Sequence, residues 1–149
     1  MIKKIVIYVL CLSVLFSQFS IGEEMFLSLK KSKVNVRYGP SFDSKIKYIY
    51  KKINLPIKQI DQKENFRRIV DLKNNSGWIH ISQIKKSNSI IILEDKILYK
   101  KPSNFSKPIA KLEKGRLLIL KKCENIWCNV KTEDYSGWVK TENIWGSIR

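Results

Sequence analysis

A four-residue pattern occurs twice in this chain, as Ser76-Gly77-Trp78-Ile79 and as Ser136-Gly137-Trp138-Val139. Each copy follows an aromatic-x-x-aliphatic step, Phe66-Arg67-Arg68-Ile69 in the first half and Trp127-Cys128-Asn129-Val130 in the second. Self-similarity over such a distance means two copies of one folding unit, each completed within about half of the chain.

The amino terminus lies outside this repeat. Met1-Ile2-Lys3-Lys4 and the apolar run Ile5 to Phe16 read as the charged and hydrophobic regions of a signal peptide, and Ser20-Ile21-Gly22 offers small residues where a signal peptidase reads. Residues 1–22 are therefore expected to be cleaved after Gly22. The alternative is an uncleaved anchor, but Ser13, Ser17, Gln18 and Ser20 shorten the apolar stretch below the roughly 20 residues that span a bilayer. No transmembrane span is expected once the segment is removed. Cys11 lacks the preceding small residue of a lipoprotein site, so lipid attachment is not expected.

Export leaves two cysteines, Cys123 and Cys128, in an oxidising compartment, where a pair favours a disulfide over a metal site. Apolar runs on either side of Glu124-Asn125-Ile126-Trp127 place the cysteines opposite one another at the mouth of a four-residue hairpin loop, within bridging distance. A reactive thiol pair is the other possibility. It would more usually show Cys-x-x-Cys at a helix start.

Short alternating runs predict the strands. In the first half they are Leu27–Leu29, Val34–Tyr38, Lys47–Tyr50, Pro56–Ile60, Arg67–Asp71 and Gly77–His80; in the second, Ile90–Leu93, Ile97–Tyr99, Ile109–Leu112, Leu117–Lys121, Cys128–Lys131 and Gly137–Lys140. Regular spacing of short strands with turn residues between them predicts an all-β chain of two small barrels, residues 23–86 and 87–149. Domains of about 60 residues are marginal and depend on closing their sheets. Pro40 and Pro102 end strands at matching places, and Asn54 matches Gly115 before an apolar run; both types tolerate the left-handed backbone of a tight turn. Lys85-Lys86-Ser87-Asn88-Ser89 reads as a polar linker.

The run Asn35-Val36-Arg37-Tyr38-Gly39-Pro40-Ser41, with Asn65-Phe66-Arg67-Arg68-Ile69 and Gly77-Trp78-Ile79, resembles a bacterial SH3-like domain, the small barrel of exported and cell-wall proteins. The second half resembles a degenerate copy that keeps Pro102-Ser103, Trp127-Cys128-Asn129-Val130, Gly137-Trp138-Val139 and Ile144-Trp145-Gly146. Together the halves are similar to a family of exported bacterial proteins built from two such barrels, with paired cysteines in the second. The resemblance implies binding of peptides or peptidoglycan at the cell envelope, with the periplasm as the compartment and secretion or wall association as the alternative. Tyr99-Lys100-Lys101 replaces Arg37-Tyr38-Gly39 in the second copy, so a binding role does not carry over to it.

Candidate ligand-binding residues are Arg37, Tyr38, Phe42 and Trp78. The loop from Arg37 to Phe42 offers a guanidinium that can hold a carboxylate bidentately, a phenol and an apolar ring. Equally, Arg37 can brace the turn while Phe42 packs onto the barrel. The repetition of Trp78 and Trp138 is what a shared core would produce, and core packing is the expected role, with a stacking platform as the alternative. Trp145 is expected to pack, over a barrel end or between the copies.

Catalysis finds little support. His80 is the one histidine, expected as a solvated strand residue, and no nucleophile is placed beside it by any sequence signal. Asp61, Glu64 and Asp71 are scattered rather than paired. No metal-ligand spacing and no phosphate-cradling glycine loop appears, so no cofactor and no enzyme activity are expected. The formal charge is +16, and losing Lys3 and Lys4 with the leader leaves +14. Such a surface attracts polyanions. The lysines, however, are dispersed, as at Lys51-Lys52, Lys85-Lys86 and Lys121-Lys122, and nucleic acid is not the expected partner. The reading is a non-catalytic binding module that recognises peptidoglycan or a peptide through the first barrel, or else a scaffold meeting an envelope protein or anionic surface through its basic face.

Overall fold

The computed structural model describes residues 24–148; the expected signal peptide and its cleavage point lie outside the described residues. Strands β1 (Phe26–Leu29), β2 (Val34–Arg37), β3 (Ile46–Tyr50), β4 (Pro56–Lys63), β5 (Phe66–Val70), β6 (Ser76–His80) and β7 (Ile84–Lys86) make one antiparallel sheet in the order β3-β2-β6-β5-β4-β1-β7. Strands β8 (Ser89–Ile92), β9 (Lys96–Tyr99), β10 (Pro108–Leu112), β11 (Leu117–Glu124), β12 (Trp127–Lys131), β13 (Ser136–Lys140) and β14 (Ile144–Gly146) repeat that order strand for strand. The described residues are all-β, two tandem SH3-like units, with one 3₁₀ turn at Ile81–Gln83.

Each sheet curls around its own core. Leu29, Val34, Val36, Ile57, Ile69 and Ile79 fill the first; Ile90, Ile92, Leu98, Leu112, Leu118, Cys128, Val130 and Val139 fill the second. Full burial of an aliphatic side chain contributes roughly 1.5–3 kcal/mol, so small barrels hold together on few residues. Loop hydrogen bonds repeat as well. Asn54 N donates to Leu29 O and Gly115 N to Ile92 O, with Asn54 (φ 60°) and Gly115 (φ 87°) both left-handed.

The repeated glycine lets the β2–β3 hairpin, and its β9–β10 counterpart, join the rest of the sheet. Strand β6 touches β2 at one register pair, Arg37 with Trp78, and β13 touches β9 at Tyr99 with Trp138. A Cβ on Gly77 would run into Val36 Cγ1 and lie 3.0 Å from Arg37 O; on Gly137 it would lie 2.6 Å from Tyr99 O and 2.9 Å from Leu98 Cγ. A side chain here pushes apart the two strands whose approach completes the sheet.

Three expectations are corrected. Lys85 and Lys86 belong to β7, and Ser89 begins β8 fully buried, so the linker shrinks to Ser87 and Asn88. Strands β7 and β14 escaped prediction because three residues are too few to show alternation. The cysteine hairpin is tighter than expected: Glu124 pairs with Trp127, leaving the two-residue turn Asn125-Ile126, and Cys123 stands directly opposite Cys128. The disulfide forms there.

The barrels meet through side chains as well as the short connection. Asn88 N–H donates to Ser28 Oγ (3.3 Å), the Ser28 and Ser89 hydroxyls bond to one another (2.8 Å), and Ser89 Oγ donates to Asn54 O. Trp145 sets its ring edge-on to Phe26 at 5.1 Å and donates Nε1–H to Pro56 O at 3.0 Å. Of the two packing roles open to Trp145, the structure shows the inter-barrel one.

Gly77→Ala and Gly137→Ala should each lower stability by roughly 1–3 kcal/mol through overpacking, read from urea midpoints at constant m-value. Replacing Cys123 and Cys128 together by Ser should cost about 2 kcal/mol on the chain-entropy account of a short loop. Thiol labelling of the oxidised, denatured protein should find neither cysteine free.

Candidate functional site

Because alternate residues of a strand face opposite sides, burial of Gly77 and Ile79 turns Trp78 outward, and burial of Gly137 and Val139 does the same for Trp138. This corrects the core reading of both tryptophans. The repeated residue that serves the interior is the glycine, and the tryptophan beside it is half-buried on the outer face.

Trp78 stands in a cross-strand row. Its register partners are Arg37 on β2 and Arg68 on β5, so two guanidinium-bearing residues flank the indole. A hollow of about 350 Å³ opens over the row, lined by Arg37, Tyr38, Lys47, Arg68, Ser76, Gly77 and Trp78. Lys47 Nζ lies 5.6 Å from the Tyr38 ring centroid and donates to Ser76 O at 2.8 Å. Three cations and two aromatic rings thus surround one shallow space. Carboxylates suit the cations, and apolar or sugar faces suit the rings.

Of the four residues singled out from sequence, Arg37, Tyr38 and Trp78 line this hollow. Phe42 does not. It is 62% exposed, with its ring 5.2 Å from Phe66 and 4.8 Å from His80. Arg37 does brace its loop: Nη1 donates to Phe42 O (2.9 Å) and Ser44 O (2.7 Å), and the guanidinium carbon lies 5.7 Å from the Phe42 ring centroid. The guanidinium carries further donors beyond that nitrogen. His80 has more structure around it than a solvated strand residue: Nδ1 accepts from Ser82 N (3.2 Å) and caps the 3₁₀ turn, while its ring packs against Phe66 at 5.1 Å.

Sequence reasoning missed Lys47 and Arg68. Arg68 was readable in principle, since alternation from buried Ile69 leaves it outward. Lys47 was not, because the β2–β3 register shifts between Val36 and Arg37, which pair with Tyr48 and Ile46. A bulge of this kind re-aims the extra side chain. In the second barrel the same row reads Tyr99, Trp138, Asn129, with both arginines gone. Tyr99 there packs edge-on to Trp127 at 5.6 Å, and Lys140 Nζ lies 5.8 Å over that indole. Among the described residues no three His, Cys, Asp or Glu side chains gather as metal ligands would, and no helix is long and apolar enough to cross a membrane.

Two stretches, residues 30–86 and 95–146, match the family model described as the bacterial SH3 domain. The chain belongs to the bacterial SH3 domain family. It carries that domain twice, with the disulfide in the second copy. No curated protein matches it in sequence. Among solved structures it is similar to NlpC2 from Trichomonas vaginalis, at 10% identity and a TM-score of 0.39 over 83% of this chain and 48% of that one. NlpC1 from the same organism gives 10% identity and 0.38 over 86% and 48%. The chain spans about half the length of either protein.

Arg37 and Arg68 should separate by stability. Arg37→Ala removes two charge-assisted bonds to loop carbonyls and should cost about 1.5–3 kcal/mol, whereas exposed Arg68→Ala should stay within about 0.5 kcal/mol of the parent; thermal unfolding monitored by circular dichroism reads the difference.

Proposed function

We propose that this protein is a non-catalytic binding module of the bacterial envelope, and that the hollow over Arg37, Trp78 and Arg68 in its first SH3 domain takes a carboxylate-bearing peptide, with the stem peptides of peptidoglycan as the ligand. The observation that carries this reading is the row itself, an outward indole between two arginines. Aromatic and arginine residues dominate binding energy where they anchor interfaces. The hollow also has a volume within the range of ligand sites, and its lining is mainly polar, as suits a charged ligand. Family membership supports the same class of role. The second domain, with Tyr99 and Asn129 in place of the arginines, serves as a disulfide-stapled support held against the first by Trp145. The periplasm is the compartment proposed, because the disulfide needs oxidising surroundings.

Sedimentation with purified peptidoglycan tests the assignment. The unaltered protein should be retained, and Trp78→Ala and Arg68→Ala should each weaken retention about tenfold, the effect of losing about 1.4 kcal/mol. Unchanged retention of both variants rejects the hollow, and failure of the unaltered protein to bind rejects the ligand.

A further inference from the structure

A second and larger concavity lies between the two domains, away from the Trp78 hollow. It is a groove of about 1000 Å³. One wall is the connection between β3 and β4, bringing Lys51, Lys52 and Ile53; the other is β11 with the end of β12, bringing Arg116, Leu117, Ile119, Lys121 and Lys131. Neither domain forms it alone.

Five of these residues are cationic and exposed, against one lining carboxylate, Glu133. The ion pairs among the described residues, Lys58–Glu24, Lys96–Glu94, Lys111–Asp95 and Lys122–Glu124, engage none of the five. Like charges gathered around one concavity repel, and an anion placed between them relieves that repulsion. The apolar residues narrow the class of anion. Ile53 is 48% exposed, and Leu117 and Ile119 turn outward from β11 because Leu118 between them fills the core.

We infer that the groove between the two domains binds an extended acidic peptide segment in which acidic and apolar side chains alternate. Successive residues of an extended strand point to opposite sides, so one set can meet Ile53, Leu117 and Ile119 while the other meets the cations beside them. A flat anionic bilayer does not reach the floor of a concave groove. Single-stranded nucleic acid is recognised on aromatic stacking platforms, and no aromatic residue is among those lining the groove. A polyphosphate or acidic glycan would use the cations and leave the apolar residues unused.

Fluorescence anisotropy with a labelled peptide of alternating Glu and Val residues tests this on the full two-domain protein. Binding should be saturable and weaken with salt. Lys52→Glu with Lys121→Glu should weaken it tenfold or more, and Ile53→Ser several-fold. Lys100→Glu with Lys107→Glu changes net charge equally on exposed positions outside the groove and should leave binding within twofold. Absence of peptide binding overturns the inference. So does an equal loss in the two charge-reversed pairs, or equal affinity for a Glu/Ser peptide or for polyphosphate. Peptidoglycan retention by the Lys52→Glu, Lys121→Glu protein should match the unaltered one, which separates this groove from the Trp78 hollow.

Discussion

The close approach of two backbones at Gly77, where β6 crosses β2, is the contact on which the first domain depends. The β2–β3 hairpin reaches the rest of the sheet only through β6, and the lack of a side chain at Gly77 lets β6 come up against Val36 and the Arg37 carbonyl. The same crossing pairs Arg37 with Trp78. Docking of the β2–β3 hairpin on β6 and assembly of the candidate site are thus one geometric event. The alternation that puts Gly77 inside puts Trp78 outside, and the next strand supplies Arg68 beside it.

In the second domain the same device works with a different result. Gly137 packs against Tyr99 and Leu98 as Gly77 does against Arg37 and Val36, so the architecture is preserved while the outward row changes from two arginines to a tyrosine and an asparagine. That domain gains instead a disulfide across its hairpin and a tryptophan that reaches back to Pro56. The buried serine relay through Ser28 and Ser89 and the edge-on ring of Trp145 hold the domains side by side. Side-by-side packing in turn creates the basic groove between them.

Much of the fold was legible. Alternation locates twelve of the fourteen strands among the described residues, matching turn residues align the halves, and the cysteine spacing announces the disulfide, because these signals depend on neighbours in sequence. The candidate site was legible only in part. Arg37 and Tyr38 stand out beside a proline, yet the repetition of the tryptophan points to a shared core, and a period-two pattern does not say which set faces inward until a residue such as Gly77 is placed. Lys47 was hidden by a bulge, and Phe42 was drawn to Phe66 and His80, which lie far from it in sequence.

By itself the sequence determined that this is a twice-repeated, all-β chain with a stapled second hairpin, since repeats, alternation and turn residues express local backbone preferences. The tertiary structure decided which face of each strand looks outward, which residues stand across the sheet beside each tryptophan, and that a groove exists between the domains. Those outcomes rest on register, bulges and inter-domain contacts, each of which joins residues far apart in the chain and is settled only when the barrels close and pack.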